Sequence, residues 1–135
     1  KTIKKMKELK LKKCMKCGAL VKVLEDCTCE GCGIVCCSEP MELVKANSTD
    51  AAVEKHLPVV TQEGNKITVA VSSVEHPMLP EHYIMGVYIE TKNGGQLHKF
   101  APGDKPEAVF MLADGDEFIA AYEYCNLHGL WKSEV

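Results

Sequence analysis

Seven of the eight cysteines in this 135-residue chain lie between Cys14 and Cys37. A segment of about forty residues with few large apolar side chains cannot bury a sufficient core of its own. Disulfide scaffolds spread their cysteines along the chain, whereas clustered cysteines with C-x-x-C spacing are typical of metal sites. We therefore expect a small domain over residues 1–44 that is stabilised by a bound metal.

The remaining residues, 45–135, have the pattern of an antiparallel β protein. Turn signals at Gly64-Asn65, Asn93-Gly94-Gly95 and Asp114-Gly115-Asp116 each separate two segments that alternate or are rich in Val, Ile and aromatic residues. Each signal predicts a hairpin, and the last predicted strand ends at Cys125. No helical period stands out, so the pattern predicts a mainly β fold built as an antiparallel β-sandwich.

Four of the five histidines and the eighth cysteine fall in short motifs of this second part. They are His56, His76, His82, Cys125 and His128. Imidazole and thiolate ligands together suit zinc, copper or iron. Five ligands are one too many for a closed tetrahedral zinc site, and they would leave one position open on an octahedral redox metal. His98 lies within a predicted strand and is left outside this group.

The motifs around these residues resemble those of the superoxide reductases, the desulfoferrodoxin and neelaredoxin family, over about residues 45–135. The matching segments are Glu54-Lys55-His56, Glu75-His76-Pro77-Met78, Glu81-His82-Tyr83-Ile84 and Cys125-Asn126-Leu127-His128-Gly129-Leu130-Trp131. The resemblance implies an immunoglobulin-like sandwich with a mononuclear non-haem iron that reduces superoxide to hydrogen peroxide. The four histidines would be equatorial ligands, and Cys125 would be the axial thiolate opposite the open position.

The same resemblance implies roles for two charged residues beside His56, Glu54 and Lys55. Residues 23–135 hold seven Lys against eighteen Asp and Glu, so a local cation at Lys55 would help to guide an anionic substrate. Glu54 would be the carboxylate that occupies the sixth position after oxidation. The alternative for both residues is ordinary exposed charge.

In the first part, Cys14, Cys17, Cys36 and Cys37 resemble the four ligands of a desulforedoxin-type single-iron centre. The chain departs from that pattern at Cys27-Thr28-Cys29-Glu30-Gly31-Cys32, where the family usually has a glycine-rich turn. Cys27, Cys29 and Cys32 are therefore possible ligands of a 4Fe–4S cluster. A single iron, a 4Fe–4S cluster and a structural zinc all remain open for this domain.

Charge and hydropathy limit the partners. Residues 1–22 hold nine Lys and one Glu, but the chain has no Arg, which counts against specific nucleic-acid recognition. No apolar run approaches the ~18 residues of a membrane span, and the lysine-rich start lacks the apolar core of a secretory signal. We expect a cytoplasmic protein. The resemblance implies a rubredoxin- or ferredoxin-like electron donor and a homodimer or higher homo-oligomer.

Two other functions stay open at this point. If the sandwich iron were closed and unreactive, the chain would be an electron-transfer protein without reductase activity. If the metal were zinc, the chain would be a zinc ribbon joined to a β-sandwich, and would act as a binding module.

Overall fold

The computed structural model describes residues 8–49, 51, 53–71 and 76–134, with the backbone alone for Glu54. The chain divides into two compact units, one ending at Lys45 and the other beginning at Ala46. Strand pairings among the described residues are all antiparallel, which confirms the predicted fold class. Within these ranges no helix has the length and apolar content needed to cross a membrane.

The described part of the first unit, residues 8–45, contains five short strands: β1 (Leu11–Lys13), β2 (Leu20–Lys22), β3 (Val35–Cys36), β4 (Glu39–Pro40) and β5 (Glu42–Leu43). One sheet has the order β2-β1-β5, and β3 pairs with β4. Its buried apolar side chains are few, chiefly Leu11, Cys14 and Met41, while Leu24 is 82% exposed. Such a small core gives little hydrophobic stabilisation, so a cross-link within this unit has much to contribute.

In the second unit, the residues that the structure describes form seven strands: β6 (Pro58–Glu63), β7 (Lys66–Val71), β8 (Ile84–Thr91), β9 (Gly94–Lys99), β10 (Glu107–Met111), β11 (Phe118–Cys125) and β12 (Gly129–Glu134). They form two sheets, with the orders β10-β7-β6 and β12-β11-β8-β9.

The core of the second unit lies between these sheets. Ile67, Val69 and Val71 of β7 are buried and alternate with more exposed residues, as expected for a strand with one face inward. Their side chains join a cluster that includes Val87 and Ile89 of β8. The two sheets therefore form a sandwich whose inner faces are apolar.

Two of the three predicted hairpins are confirmed, and the third is wrong. Gly64-Asn65 connects β6 to β7, and Lys92-Asn93, directly before Gly94, connects β8 to β9. Strand β10, however, pairs with β7, and β11 pairs with β8 and β12, so the third turn crosses between sheets. The carboxylate of Asp116 explains this: it accepts hydrogen bonds from the Thr91 hydroxyl at 2.8 Å and the Asn93 N–H at 3.0 Å. The turn is thus fixed to the β8–β9 hairpin.

The chain also continues as a strand after the predicted last one. Strand β12 pairs with β11 along its length, with Gly129 opposite Cys125, so Cys125 ends β11 and His128 lies in the turn that leads to β12. Gly129 has a φ of +79°, which glycine adopts without strain. On the other side of β12, Asn47 exchanges hydrogen bonds with Lys132 at 2.8 and 3.2 Å. This contact attaches the start of the second unit to the edge of the sandwich.

Candidate metal centres

The sandwich brings together the five residues that the sequence singled out. Their ligand atoms all lie within 4.8 Å of one another, in the set His56, His76, His82, Cys125 and His128. His56 follows the 3₁₀ turn Val53–Lys55, and the next two histidines precede β8. Cys125 is the last residue of β11, and His128 lies in the β11–β12 turn. Three separate chain segments therefore meet at one end of the sandwich.

The four imidazole rings form a closed cycle. The ring centroids of neighbours lie 4.7 Å apart for His56 and His76, 4.8 Å for His76 and His82, 5.0 Å for His82 and His128, and 4.8 Å for His128 and His56. The planes of neighbouring rings are 78–89° apart. Four nearly perpendicular neighbours can each direct one nitrogen towards a common centre.

Nitrogen–nitrogen distances fit a shared ion. His56 Nε2 lies 3.1 Å from His76 Nε2 and 3.0 Å from His128 Nδ1. Two nitrogens at this separation that subtend a right angle at an ion each lie about 2.1 Å from it, a usual metal–imidazole distance. The separation therefore matches the coordination of one ion by adjacent imidazoles.

The tautomer of His76 strengthens this fit. Its Nδ1 lies 2.7 Å from the carbonyl oxygen of Pro77, which only accepts, so Nδ1 carries the proton and donates it. In the neutral ring Nε2 then presents a lone pair to His56. Hydrogen bonding of the distal ring nitrogen to a carbonyl is the usual way in which proteins orient metal-binding histidines.

A buried ring nitrogen and a buried sulfur complete the cluster. His82 Nε2 is buried and has no hydrogen-bond partner among the described residues. A buried polar atom without a partner is costly, and a coordinated metal would satisfy it. Cys125 is completely buried, its sulfur lies 3.9 Å from His128 Nδ1, and the backbone N–H groups of His128 and Leu127 donate hydrogen bonds to it.

Burial prepares these residues for a metal. Desolvation lowers the pKa of His76 to about 4 and also lowers the pKa of His82, so both rings are neutral near pH 7. Burial raises the pKa of the Cys125 thiol, and the nearby carboxyl of Glu123 adds to that rise. The sulfur therefore needs a bound cation to become a thiolate at neutral pH.

Two residues, Trp131 and Asn126, hold the ligands in place, although no local sequence signal predicts that role for either. Trp131 stacks on His56 with centroids 5.0 Å apart and planes 20° apart, and its indole N–H donates to the His128 carbonyl at 3.0 Å. Asn126 accepts from the Tyr83 N–H at 2.9 Å and donates to the Glu81 carbonyl at 3.1 Å. It thus ties the turn that carries Cys125 to the loop that carries His82.

The remaining predicted residues of this site are placed as follows. Lys55 is exposed at the end of its 3₁₀ turn, and its charge contributes to lowering the pKa of His82. The side chain of Glu54 lies outside the described part of the structure. His98 is exposed on β9, with its ring 4.9 Å from that of Phe100, and does not join the cluster.

Comparison with known proteins shows the family of this chain. Residues 48–134 match the family model described as Desulfoferrodoxin. A desulfoferrodoxin from Syntrophotalea carbinolica is 44% identical over 128 residues, covering 94% of this chain and 97% of that protein. The chain belongs to the desulfoferrodoxin family.

Solved structures extend the comparison to the fold. The superoxide reductase from Treponema pallidum superposes with a TM-score of 0.77 at 38% identity, covering 94% of this chain and 99% of that one. A superoxide reductase described as 1Fe-SOR, from Giardia intestinalis, has a TM-score of 0.53 at 31% identity, and covers 61% of this chain and 97% of its own. The family resemblance of the sequence is thus confirmed.

The first unit of this desulfoferrodoxin-family chain contains a second group of candidate ligands. The sulfurs of Cys14, Cys17, Cys36 and Cys37 lie within 4.8 Å of one another. Cys17 and Cys36 have their sulfurs 3.7 Å apart, and those of Cys36 and Cys37 are 3.9 Å apart. Four thiolates bound to one ion by ~2.3 Å bonds have sulfurs about 3.8 Å apart at tetrahedral corners. The group therefore fits a single tetrahedral ion.

Backbone geometry makes this group possible. Cys37 and Ser38 adopt φ angles of 54° and 64°, in the left-handed region that non-glycine residues rarely enter. The turn lets adjacent cysteines direct both sulfurs to one side. Cys17 affects the pKa values of two neighbouring thiols. The hydrogen bond from its backbone N–H is the main cause that lowers the pKa of Cys14 to about 7. The hydrogen bond with its side chain is the main cause that raises the pKa of Cys36 to about 12.

The three other cysteines of this unit are not part of the group. Cys29 and Cys32 are joined by a disulfide bond, and Cys27 is a free, exposed thiol beside Asp26. The structure therefore separates the seven cysteines into a four-sulfur group, a disulfide and one free thiol.

Proposed function

We propose that this chain is a superoxide reductase whose mononuclear iron is held by the five residues of the sandwich cluster. The observation that supports this best is the closed cycle of four imidazoles with a completely buried cysteine beside it. Such a set has more ligands than a closed tetrahedral zinc site requires, and it leaves one octahedral position for a small anion.

A bound ferrous iron would supply one electron to superoxide, which takes up two protons and leaves as hydrogen peroxide. The protein's part is to hold the ligands, keep the imidazoles neutral and admit the anion. The four histidines and Cys125 would hold this iron, and the position that they leave open would receive the anion. Glu54 is proposed as the carboxylate that would occupy the open position after oxidation.

Lys55 is proposed to attract superoxide to the open position. It is exposed next to His56, and its charge acts on His82. The rest of the sandwich is acidic, so this local cation offsets a field that would repel an anion. Electrostatic steering raises association rates and is weakened by salt.

The test is the second-order rate of reaction with superoxide after pulse radiolysis, at low ionic strength. We expect Lys55→Ala to slow the reaction about tenfold, equivalent to about 1.4 kcal/mol. Lys66→Ala is the matched control, because Lys66 is exposed at the start of β7. It pairs there with Glu63, the last residue of β6, and the six residues of β6, which span roughly 20 Å, separate this end from the His56 end. An unchanged rate for Lys55→Ala would contradict the steering role.

Reaction with superoxide and metal content together distinguish the reductase from the two other functions. A chain that binds iron but does not react with superoxide would be an electron-transfer protein. A chain that binds only zinc and stays colourless would be a binding module. Metal analysis of anaerobically purified protein, with visible spectra before and after superoxide, distinguishes all three.

For the first unit we propose a single iron bound by Cys14, Cys17, Cys36 and Cys37. Sulfur–sulfur distances of 3.7 and 3.9 Å support one tetrahedral ion. A 4Fe–4S cluster places each thiolate on a different iron and so spreads the sulfurs more widely. This iron would store or relay an electron received from a rubredoxin- or ferredoxin-like donor. Acid-labile sulfide tests the proposal: its absence supports the single ion, and about four sulfides per chain would replace it with a cluster.

A further inference from the structure

The segment between β2 and β3 carries sulfur chemistry that neither metal group uses. Cys29 and Cys32 are joined in a Cys-Glu-Gly-Cys sequence, with Cα atoms 5.6 Å apart. Both residues are exposed, and so is Cys27. The four-sulfur group of the same unit is built from other cysteines.

A tight turn forms the bond. The Cys32 N–H donates to the Cys29 carbonyl at 3.4 Å, and Gly31 takes a φ of +77°, which favours glycine. The bond closes a loop of only four residues. Because the stabilisation by a disulfide grows with the length of the loop that it closes, this bond adds little to the fold. A purely structural role is therefore a weak explanation for it.

The reduced state of the other cysteines in the first unit indicates that the Cys29–Cys32 bond can be reduced and formed again. Cys14, Cys17, Cys36 and Cys37 must be reduced to bind a metal as thiolates. An exposed disulfide in the same unit meets the same reducing surroundings. Exposed disulfides that persist in such surroundings are usually labile and catalytic or redox-sensing.

We propose that Cys29 and Cys32 form a redox-active dithiol–disulfide site that exchanges two electrons with a small dithiol protein. A thiolate of that protein attacks one of the two sulfurs, and the Cys29–Cys32 bond breaks as a mixed disulfide forms. The other sulfur leaves as a thiolate and takes up a proton. The second thiol of the partner then loses its proton and displaces the first cysteine. The partner ends as a disulfide, and the loop gains two electrons and two protons.

This site does not depend on superoxide chemistry in the sandwich. It also differs from a metal site built on the same three cysteines, because a disulfide cannot supply two thiolate ligands. Cys27 provides an internal reference: because it is a free, exposed thiol, we expect it to react with alkylating reagents whether or not the loop is oxidised.

The experiment uses the full, metal-loaded chain under anaerobic conditions. Reduced thioredoxin serves as the dithiol probe, and native alkylation followed by mass spectrometry counts the free thiols. We expect two additional alkylated residues after reduction, at Cys29 and Cys32, with unchanged iron content. Cys27→Ser should keep this exchange, and the double variant Cys29→Ser/Cys32→Ser should lose it while retaining all its iron.

Two results would overturn the proposal. Loss of iron or sulfide in Cys29→Ser/Cys32→Ser would make these cysteines metal ligands instead. A bond that resists reduced thioredoxin in the folded chain, but is reduced after denaturation, would be a structural cross-link. Loss of superoxide reactivity is a separate readout, so failure of the reductase proposal would leave this test intact.

Discussion

Replacing Glu123 by Gln is expected to stabilise the metal-free chain, and the gain should grow as the pH rises. Glu123 lies on β11, two residues before Cys125, between Val87 and Trp131 of the neighbouring strands. It is 1% exposed, and neither carboxyl oxygen has a hydrogen-bond partner among the described residues. Burial raises the pKa of this carboxyl to about 9.

The size of the stability penalty from Glu123 follows from proton binding in the folded and unfolded states. Between the unfolded pKa of 4.5 and the folded pKa of about 9, the folded chain holds a proton that the unfolded chain releases. The unfolded state is therefore favoured more strongly as the pH rises through this window. Each pH unit above the unfolded pKa costs roughly 1.4 kcal/mol, so the penalty is less than ~1 kcal/mol at about pH 5 and about 3 kcal/mol at about pH 7.

Urea denaturation of the metal-free full chain measures this penalty. Glu123→Gln keeps the size and polarity of the side chain but cannot ionise, so it isolates the charge effect. Glu123→Leu also removes the unpaired polar group, and we expect a further gain of roughly 1–3 kcal/mol that does not vary with pH. Comparing variants at each pH cancels the titration of every other group.

Two results would refute this reasoning. If Glu123→Gln gains the same free energy of unfolding at about pH 5 and about pH 7, the carboxyl is not held neutral by burial. If Glu123→Gln is less stable than the wild type at neutral pH, the ionised carboxyl has a stabilising partner in the folded chain.

Three further predictions concern the residues around the sandwich cluster. Trp131→Leu should weaken iron retention against a chelator by roughly 10–100-fold. Trp131→Phe should weaken it by less, because only Phe can still stack on His56. Equal losses for the two variants would argue against the stacking contact. Asn126→Ala should lower the free energy of unfolding by roughly 1–3 kcal/mol in urea, since it leaves the Tyr83 N–H and the Glu81 carbonyl without their partner; no change would mean that water replaces both bonds. Because the pKa of His76 falls to about 4 on folding, the metal-free chain should lose on the order of 2 kcal/mol between about pH 7 and about pH 5, as protons bind first to the unfolded state. His76→Asn should remove that part of the pH dependence, and a variant with an unaltered pH profile would contradict it.

Local sequence signals predicted the parts of the fold that depend on neighbouring residues. Gly64-Asn65 and Asn93-Gly94 mark hairpins because their backbone conformations favour tight turns, whatever surrounds them. Asp114-Gly115-Asp116 gives the same local signal, yet its strands join different sheets. The carboxylate of Asp116 bonds to Thr91, 25 residues earlier, and no local pattern contains that contact.

The candidate site divides in a similar way. The residues that meet in the sandwich were named from their chemistry and motif spacing, and their role as iron ligands stays a prediction. The hydrogen bonds that orient the ligands could not be predicted from the sequence. Their acceptors are the backbone carbonyls of Pro77, Glu81 and His128, and the backbone carries no residue-specific signal. The bond between Cys29 and Cys32 was equally hidden, since seven clustered cysteines allow many pairings.

The position of Cys125 has a consequence for how the cluster comes apart. Its strand, β11, is hydrogen-bonded on both sides, to β8 and to β12, whereas the histidines lie in loops and turns. Amide protons of a central strand exchange with solvent only on large-scale opening, while loop amides exchange through small local openings. Warming should therefore release the imidazoles one loop at a time, while the sulfur stays in place until the sheet itself unfolds. A chain that has lost its metal in this way keeps an anchored thiol around which the loops can close again.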